Sequence, residues 1–255
     1  MTIVQLEHVG LTYFSKNGET HALGDINFDV KQGEFVSIVG PSGCGKTTIL
    51  SLVSGLIKPT NGVVFVAGKN PSENRDKTGY MFQKDLLLEW RTISKNIQLG
   101  LEIQKKNTPE NKEYAKELLK KYGLEEFGTK YPNQLSGGMR QRVALIRTLV
   151  LKPDVLLLDE PFSALDAQTR INVCEDVSKI LRAEKKTTIL VTHDITEAIS
   201  LSDRIIVLSS RPACVKCEYK MEFTTTSPRE RRESPKFNEY FKQVWRDLQI
   251  ENDKE

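Results

Sequence analysis

The chain has 255 residues, 38% of them hydrophobic and 28% charged, with a formal net charge of +3 at pH 7. This length and composition predict one large globular domain, or one domain with an insertion. The charge is too small to argue for nucleic acid as a partner. The sequence has no run of about 18 apolar residues that would predict a membrane-spanning helix. Its start, MTIVQLE, lacks the basic and apolar regions of a signal peptide, so we expect a cytoplasmic protein.

The first quarter of the chain predicts strands around one short helix. Alternating apolar and polar residues are typical of antiparallel strands, whereas a continuous apolar run is typical of a buried strand. A glycine directly after a helical run indicates where the helix ends. In chain order, the predicted elements are strands at 4–6 and 26–30 separated by a turn at 15–19, a buried strand at 35–39, a helix at about 46–54 closed by Gly55, and a strand at 63–66.

The middle of the chain predicts helices, and the part that follows predicts a parallel sheet. Helical periodicity dominates from residue 84 to residue 150, with helices expected at 109–122 and 136–151. After that, short apolar strands alternate with helical segments, which is typical of a parallel sheet covered by helices. These strands are predicted at 155–158, 188–191 and 204–208.

The end of the chain predicts a loop and then an amphipathic helix. Residues 224–235 are rich in Thr, Ser, Pro and Arg, which indicates a loop, and the basic run at 229–232 predicts a solvated face. Apolar residues then recur at helical spacing, and we expect this stripe to pack against the core. The stripe consists of Phe237, Tyr240, Phe241, Val244, Trp245 and Leu248.

Together these segments predict a single α/β domain over residues 1–255. Its parts are a core at 1–83 and 151–222, an inserted helical part at 84–150, and a C-terminal loop and helix at 223–255.

Four cysteines occur in the chain, at positions 44, 174, 214 and 217. So few in a chain of this length argue against a disulfide framework. Cys214 and Cys217 have CxxC spacing, but no second Cys or His pair accompanies them. We expect ordinary thiols in a strand or turn rather than a metal or redox site.

One run matches the phosphate-loop pattern GxxxxGK[ST] in full, between a buried strand and a helix. Its glycines let successive backbone N–H groups converge on phosphate oxygens, and the helix N-terminus adds its positive end. Lys46 is expected between the β- and γ-phosphates, and Thr47 at Mg²⁺. Cys44 is expected to be a small filler. The run reads Gly40-Pro41-Ser42-Gly43-Cys44-Gly45-Lys46-Thr47.

Two acids follow the predicted strand at 155–158. The carboxyl end of such a strand faces the crevice where ligands bind, so Asp159 is placed to hold Mg²⁺ directly or through water. Glu160, expected on the opposite side of the pleat, is placed to polarise an attacking water. The alternative is an acid pair that caps the next helix.

Two further polar residues are candidates for the same site. His193, after the apolar run that ends at Val191, is placed to contact a γ-phosphate or to hold the water. Gln83, after the run Gly79–Phe82, is placed to reach Mg²⁺ and the water while it contacts the helical part. A satisfied polar residue is the alternative for His193.

A segment at 133–145, NQLSGGMRQRVAL, has half of a phosphate-binding element. Ser136, Gly137 and Gly138 precede a helical pattern, but the segment lacks the lysine and the preceding strand of a complete site. Because the chain has a full phosphate loop elsewhere, this segment needs a different role.

Four motifs occur in a fixed order: the phosphate loop, LSGGM at 135–139, LLLDEP with SALD at 156–166, and THD at 192–194. Together they resemble the nucleotide-binding subunit of an ATP-binding cassette (ABC) transporter over nearly the whole chain. The resemblance implies a P-loop NTPase core with a mostly parallel sheet, an N-terminal antiparallel β subdomain and an inserted helical subdomain. It also implies a head-to-tail homodimer that holds two ATP molecules with Mg²⁺.

The resemblance also implies roles for individual residues. Tyr13 resembles the aromatic residue that stacks on adenine, with Phe14 as a weaker candidate and core packing as the alternative for both. Asp166 resembles the residue that communicates across the dimer, and LSGGM the signature that contacts the other chain's γ-phosphate. Glu160, His193 and Lys46 take the catalytic roles, and Thr47, Gln83 and Asp159 lie at the metal. The implied nucleotide contacts are Tyr13, Gly40, Pro41, Ser42, Gly43, Cys44, Gly45, Lys46, Thr47, Thr48, Gln83, Ser136, Gly137, Gly138 and Asp159.

The signature ends in Met139 where the family usually has Gln. That departure, with Trp90-Arg91-Thr92 and Ser210-Arg211-Pro212, resembles the branch that imports nitrate, sulfonates, taurine or related solutes. The branch usually has a proline before the tryptophan, where this chain has Glu89. The resemblance implies transmembrane permease subunits and an extracytoplasmic solute-binding protein as partners, and a peripheral location on the cytoplasmic face of the membrane.

Other functions stay open at this point. Another cargo, such as a vitamin precursor, fits the same motifs, as does a soluble cassette ATPase of DNA repair or translation. A module that senses ATP without hydrolysing it is a third alternative. The segment Leu86–Trp90 is either a docking patch for a membrane subunit or part of the helical packing.

Overall fold

The fold is that of a computed structural model, which describes residues 1–16 and 18–249. Position 17, in the predicted turn, and positions 250–255, in the predicted C-terminal segment, lie outside the described residues. The strands are β1 (Thr2–Ser15), β2 (Gly18–Lys31), β3 (Phe35–Val39), β4 (Asn61–Val66), β5 (Thr78–Met81), β6 (Val155–Asp159), β7 (Thr187–Val191), β8 (Arg204–Leu208) and β9 (Val215–Lys220). The helices are α1 (Lys46–Val53), α2 (Ile93–Ile103), α3 (Pro109–Lys121), α4 (Gly137–Leu149), α5 (Ala167–Ala183), α6 (Ile195–Leu201), α7 (Pro228–Glu233) and α8 (Pro235–Gln249).

A six-stranded sheet forms the centre, in the order β5-β6-β7-β3-β8-β9. Its strands are parallel except for β9, which pairs antiparallel with β8 at the edge. Every residue of β3, β6 and β7 is buried, because helices and a second sheet cover both faces, as parallel sheets require. The prediction of an α/β fold with a mostly parallel sheet is confirmed.

A smaller antiparallel sheet has the order β2-β1-β4. Its inward-facing residues, such as Leu6 and Ile26, share one apolar core with Ile49 and Leu52 of α1. The small sheet therefore lies against the helix that follows the phosphate loop.

In the chain, helices α2, α3 and α4 follow β5 and precede β6. They share an apolar core with α5. Helix α2 was not predicted as a separate helix, although Ile93, Ile97 and Leu101 are buried at helical spacing. The apolar pattern of α2 is interrupted by Asn96, a buried polar residue. Its side chain accepts a hydrogen bond from the Leu88 N–H and donates one to the Leu88 carbonyl, in the turn before the helix. Within residues 1–16 and 18–249, no helix is both long and apolar enough to cross a membrane.

The C-terminal segment differs from the prediction of a loop at 224–235, because residues 228–233 form helix α7. Ser227 caps this helix by accepting from the Glu230 N–H, and Pro228 occupies its first turn, where the missing N–H costs nothing. Ser and Pro therefore mark a helix start here. In α8 the predicted stripe packs against the core, except that Trp245 is 48% exposed and stacks on Phe241.

The CxxC pair lies at the edge strand, with Cys217 in β9 and Cys214 just before it. Cys217 Sγ donates to Asp247 Oδ2 of α8 at 3.1 Å, so this thiol helps to attach the terminal helix to the sheet. Among the described residues, no group of three or more His, Cys, Asp or Glu side chains is arranged to hold a metal. The location of Cys217 in a strand agrees with the prediction.

The basic run at 229–232 is not uniformly solvated, so that prediction is wrong for Arg231, which is only 3% exposed. Its guanidinium donates to backbone carbonyls of Thr225 at 3.0 Å and of Ser202 at 2.6 Å, just beyond α6. Burial, with a smaller contribution from nearby Arg182, lowers the pKa of Arg231 to about 10. The cation thus joins the C-terminal segment to the end of α6.

Replacing Arg231 with Met should destabilise the fold, because the carbonyls it satisfies would lose their donor in a dry place. We expect the free energy of unfolding to fall by about 1–3 kcal/mol in urea titrations. Arg229→Met in the same helix is the control and should cost no more than about 0.5 kcal/mol, since that side chain is exposed. Equal losses for the two variants would contradict this reading of the buried cation.

Candidate functional site

The phosphate loop connects β3 to α1 at the carboxyl edge of the central sheet. Lys46 is 6% exposed, and its Nζ donates to the carbonyls of Gly40 at 2.8 Å and Pro41 at 2.9 Å. The ammonium therefore lies folded back across its own loop. Gly43 and Gly45 have φ of 75° and 119°, which only glycine adopts readily.

The loop is also closely packed from behind. A Cβ on Gly45 would lie 2.7 Å from Leu23 Cδ2, and one on Gly40 would lie 2.9 Å from Cys44 Sγ. Cys44 is itself 1% exposed, so it fills space beneath the loop, consistent with the sequence interpretation. The loop conformation is fixed by contacts with β2 as well as by its own glycines.

Asp159 ends β6 next to the loop and contacts two hydroxyl groups. Thr47 Oγ1 donates to its Oδ1 at 3.0 Å, and Tyr80 OH donates to its Oδ2 at 3.1 Å. Burial raises the pKa of Asp159 above its ordinary value, while the two hydrogen bonds oppose that rise. A hydroxyl and a carboxylate so close together supply the hard oxygen ligands that fit a small divalent cation such as Mg²⁺.

Glu160 follows directly and lies in the turn after the strand rather than in the strand itself. The strand ends at Asp159, and Glu160 has a left-handed backbone with φ of 44°, a conformation that costs about 1–3 kcal/mol for a non-glycine residue. Its Oε2 lies 3.0 Å from Nδ1 of His193, which comes from the end of the neighbouring strand β7. The turn brings the carboxylate and the imidazole together.

Gln83 lies beyond β5, on the same side as Glu160. Its Nε2 donates to Ser163 Oγ at 3.2 Å, and Ser163 Oγ donates to the Glu160 carbonyl at 3.0 Å. The amide is therefore linked through one serine to the backbone of the predicted base.

Tyr13 extends from β1 toward the same edge, and its OH lies 3.3 Å from Oγ1 of Thr48 in α1. The Tyr13 and Phe14 side chains are 44% and 70% exposed, so neither is a core residue. Tyr13 lies beside the helix that starts at the phosphate loop.

The signature segment begins α4, with Ser136 as its N-cap and Gly137 and Gly138 in the first turn. Ser136 Oγ accepts from the Met139 N–H at 3.4 Å. A Cβ on Gly138 would lie 2.9 Å from Val173 Cγ2 of α5. The second glycine is thus required for close helix packing, while Ser136 and Gly137 are exposed to solvent.

An open cleft of about 280 Å³ lies over the phosphate loop. Arg211 was not predicted as a site residue, because in the sequence its motif indicates only the branch of the family. Its guanidinium donates to the carbonyl of Gly43 in the loop. The cleft is lined by Ser42, Gly43, Gly45, Lys46, Thr47, Thr48, Glu160 and Arg211.

A phosphate loop at the carboxyl edge of a parallel sheet, with an acid at the end of a nearby strand, defines the P-loop class of fold. Residues 23–163 match the family model described as ABC transporter. The chain therefore belongs to the ABC transporter family.

Individual relatives support the same family over most of the chain. An uncharacterized ABC transporter ATP-binding protein, YtlC of Bacillus subtilis, is 45% identical and the match covers 97% of this chain and 96% of that protein. The aliphatic sulfonates import ATP-binding protein SsuB of Bacillus cereus is 41% identical, with 91% and 90% covered. The taurine import ATP-binding protein TauB of Pelagibacter ubique is 40% identical, with 86% and 83% covered.

A solved structure has the same fold. It is a dimer of the ATP-binding cassette MJ0796 in a post-hydrolysis state, bound to ADP and Pi. The two chains are 36% identical with a TM-score of 0.74, over 87% of this chain and all of that one.

Replacing Gly45 with Ala tests the packing behind the loop. The new methyl group would both meet Leu23 and adopt a backbone conformation unfavourable to alanine. Gly68→Ala is the matched control, because Gly68 has φ of 74° but open space around it. We expect the control to lower the free energy of unfolding by about 1 kcal/mol and Gly45→Ala to lower it by about 1–3 kcal/mol more. Indistinguishable denaturation curves for the two variants would argue against a sterically fixed loop.

Proposed function

We propose that this chain is the ATP-hydrolysing subunit of an ABC importer, coupling hydrolysis to uptake of a small solute through a separate membrane permease. The observation that carries the proposal is the convergence of three strand ends on one cleft. There the loop lysine, the Thr47–Asp159 pair and the Glu160–His193 pair lie together.

The phosphate loop binds the phosphates of ATP. Backbone N–H groups of residues 42–47 and the N-terminus of α1 surround the phosphate oxygens. Lys46 exchanges its bonds to the loop carbonyls for bonds to the β- and γ-phosphates, and Tyr13 stacks on the base. Thr47 and Asp159 would hold Mg²⁺, and Gln83 would contact it. When bound, the metal neutralises charge on the phosphates during transfer.

Glu160 acts as the general base and polarises the attacking water. His193 orients the Glu160 carboxylate through their 3.0 Å contact and is placed to bond the γ-phosphate. Gln83 is linked to the same turn through Ser163. Base assistance of this type accelerates a reaction by about 10²–10⁴-fold, and the positioning of water and phosphate adds to it.

Two copies of the chain act together as a head-to-tail homodimer. Ser136 and Gly137 are exposed at a helix N-terminus, where backbone N–H groups favour an anion. We assign the γ-phosphate held by the partner's phosphate loop to that position. The dimeric state of the ADP-bound cassette of the same fold supports this arrangement.

The membrane partner docks on the helical part at 84–150, and the nucleotide-binding core is formed by 1–83 and 151–222. Leu86 and Trp90 are 51% and 77% exposed, whereas Leu87 is buried beneath them, so the segment is anchored and still offers an apolar surface. Glu89, which departs from the branch pattern, pairs with Arg140 of the signature helix at 2.9 Å. The patch is therefore attached directly to the signature.

The imported solute is a small anion or zwitterion of the nitrate, sulfonate or taurine type. Support comes from relatives whose names describe import of taurine, nitrate or aliphatic sulfonates. The permease and an extracytoplasmic solute-binding protein then select the cargo, and the chain lies on the cytoplasmic face of the membrane without binding nucleic acid. A vitamin precursor is the alternative cargo, and a soluble cassette ATPase is the alternative class.

Glu160→Gln should retain ATP binding but lower steady-state ATPase activity by about 10²–10⁴-fold, because the amide cannot accept a proton. The ATP-bound dimer should persist on size-exclusion chromatography. Glu126→Gln, an exposed change in the helical part, is the control and should leave turnover unchanged. Unchanged turnover in Glu160→Gln would exclude Glu160 as the base.

Ser136→Arg should leave ATP binding to the monomer nearly intact while preventing ATP-dependent dimerisation, because the bulky side chain would occupy the partner's phosphate position. Fluorescent-nucleotide titration measures the first property and light scattering the second. Asn133→Arg adds the same charge at an exposed position nearby and should still dimerise. Loss of nucleotide binding by the Ser136→Arg monomer would refute the assignment of the signature to the other chain's ATP.

A further inference from the structure

Thr192 and Asp194 flank His193, and each forms a hydrogen bond with a side chain from a neighbouring helix. Thr192 is 2% exposed, and its Oγ1 donates to Oε2 of Glu197 at 2.7 Å. The same hydroxyl accepts from the Asp194 N–H at 3.0 Å. Glu197, in α6, is itself 2% exposed. The backbone on both sides of the histidine is therefore fixed by one hydroxyl whose orientation depends on a buried carboxylate.

Arg170 of α5 meets the same loop from the other side. Its Nη1 donates to Asp194 Oδ2 at 3.0 Å, and its Nη2 donates to the Leu165 carbonyl at 3.0 Å. Its buried Nε lies 3.6 Å from Glu197 Oε1. One guanidinium thus contacts both the loop that carries His193 and the segment at 163–166.

We propose that Arg170 and Glu197 are positioning residues for His193, and that Arg170 joins the histidine loop to segment 163–166 so that movement of one displaces the other. The inference rests on the proposed function, because His193 matters only if it contacts the γ-phosphate.

The chemistry of the side chain supports this assignment. Two donations from one plane, to Asp194 and to the Leu165 carbonyl, with the charge also close to Glu197, suit a guanidinium. An ammonium cannot hold both acceptors in one fixed geometry. Segment 163–166 is in turn bonded to the Glu160 carbonyl through Ser163. The base, the histidine and the segment at the start of α5 therefore form one hydrogen-bonded ring that closes through Arg170.

The proton on Glu197 makes the ring sensitive to pH near neutrality. Burial raises the pKa of Glu197 to about 7; Asp194 adds to the rise, while Thr192, Arg170 and His193 oppose it. Above that pH the carboxylate accepts from Thr192 and attracts Arg170; below it the neutral acid has a proton of its own to donate.

Two other titratable groups lie in the surroundings of Glu197: Cys174 of α5 and Arg232 of α7. Glu197 and Arg232 both act electrostatically on Cys174. Strand β3 contributes no titratable group, and α8 meets α6 through an apolar core that includes Phe237 and Val244.

The raised pKa of Glu197 also makes the stability of the fold depend on pH. Because the folded protein binds the Glu197 proton more tightly than the unfolded chain, whose reference pKa is 4.5, this group makes the fold less stable as pH rises from 4.5 to about 7. Glu197→Gln should remove that contribution, so its melting temperature should gain on the wild type as pH rises through this window.

The test combines kinetics and NMR on the full chain. Arg170→Met should lower kcat at least tenfold while the affinity for ATP changes less than twofold, and Arg170→Lys should recover part of the loss. Lys179→Met, at an exposed position of the same helix, is the control and should have wild-type kcat. Parallel loss of kcat, ATP affinity and melting temperature in both Arg170 variants would reduce the residue to a structural role and overturn the proposal.

The NMR arm does not depend on turnover. The Arg170 Nε resonance should shift with a midpoint near pH 7 in the wild type and lose that step in Glu197→Gln. Arg170→Met should move the amide resonances of both Asp166 and His193, whereas Lys179→Met should move neither. An inactive wild type with these shifts would refute the ATPase function alone. Absence of the shifts would overturn the coupling whatever the activity.

Discussion

The parallel alignment of β3, β6 and β7 is the constraint on which the rest of the structure depends. Parallel neighbours end at the same edge, and the pairing of Asp159 with Val191 places the end of β6 level with the end of β7. The phosphate loop, the carboxylate pair and the histidine therefore meet without any long-range device. A slip of one residue between β6 and β7 would exchange Asp159 for a residue directed to the other face.

The remaining parts of the fold adjust what this edge can do. The antiparallel sheet brings Tyr13 beside α1 and supports the back of the phosphate loop through Leu23. The helical part presents the signature, whose Gly138 packs against α5. Helix α5 therefore contacts the signature, the segment at 163–166 and the loop that carries His193. Arg231 then ties the C-terminal segment to the end of α6.

The sequence predicted β3, β6 and β7 and the residues at their ends because both depend on local signals: continuous apolar runs, glycine spacing and charged residues directly after a strand. Strand β5 is only four residues long and edge strand β9 has no continuous apolar run, and neither was predicted. The features that the sequence did not predict have a common physical origin. The burial of Arg231 and the contact of Arg211 with the loop depend on segments that are distant in the sequence. The pairing of Glu197 with Thr192 depends on the geometry of the turn between them. No periodicity encodes any of these contacts. Helix α7 was missed because Ser and Pro favour helix starts and loops alike. Nor does any periodicity encode the left-handed backbone of Glu160, which lies just beyond the end of β6.

That left-handed backbone at Glu160 has a consequence for how the chain tolerates sequence change. Glycine would occupy the same turn without strain, so a laboratory selection for thermal robustness alone would favour Glu160→Gly. The more robust clones would lose the carboxylate beside His193. Heat resistance and catalytic competence therefore make opposite demands at this position, and a library enriched by heat challenge should be screened for turnover before any gain there is accepted.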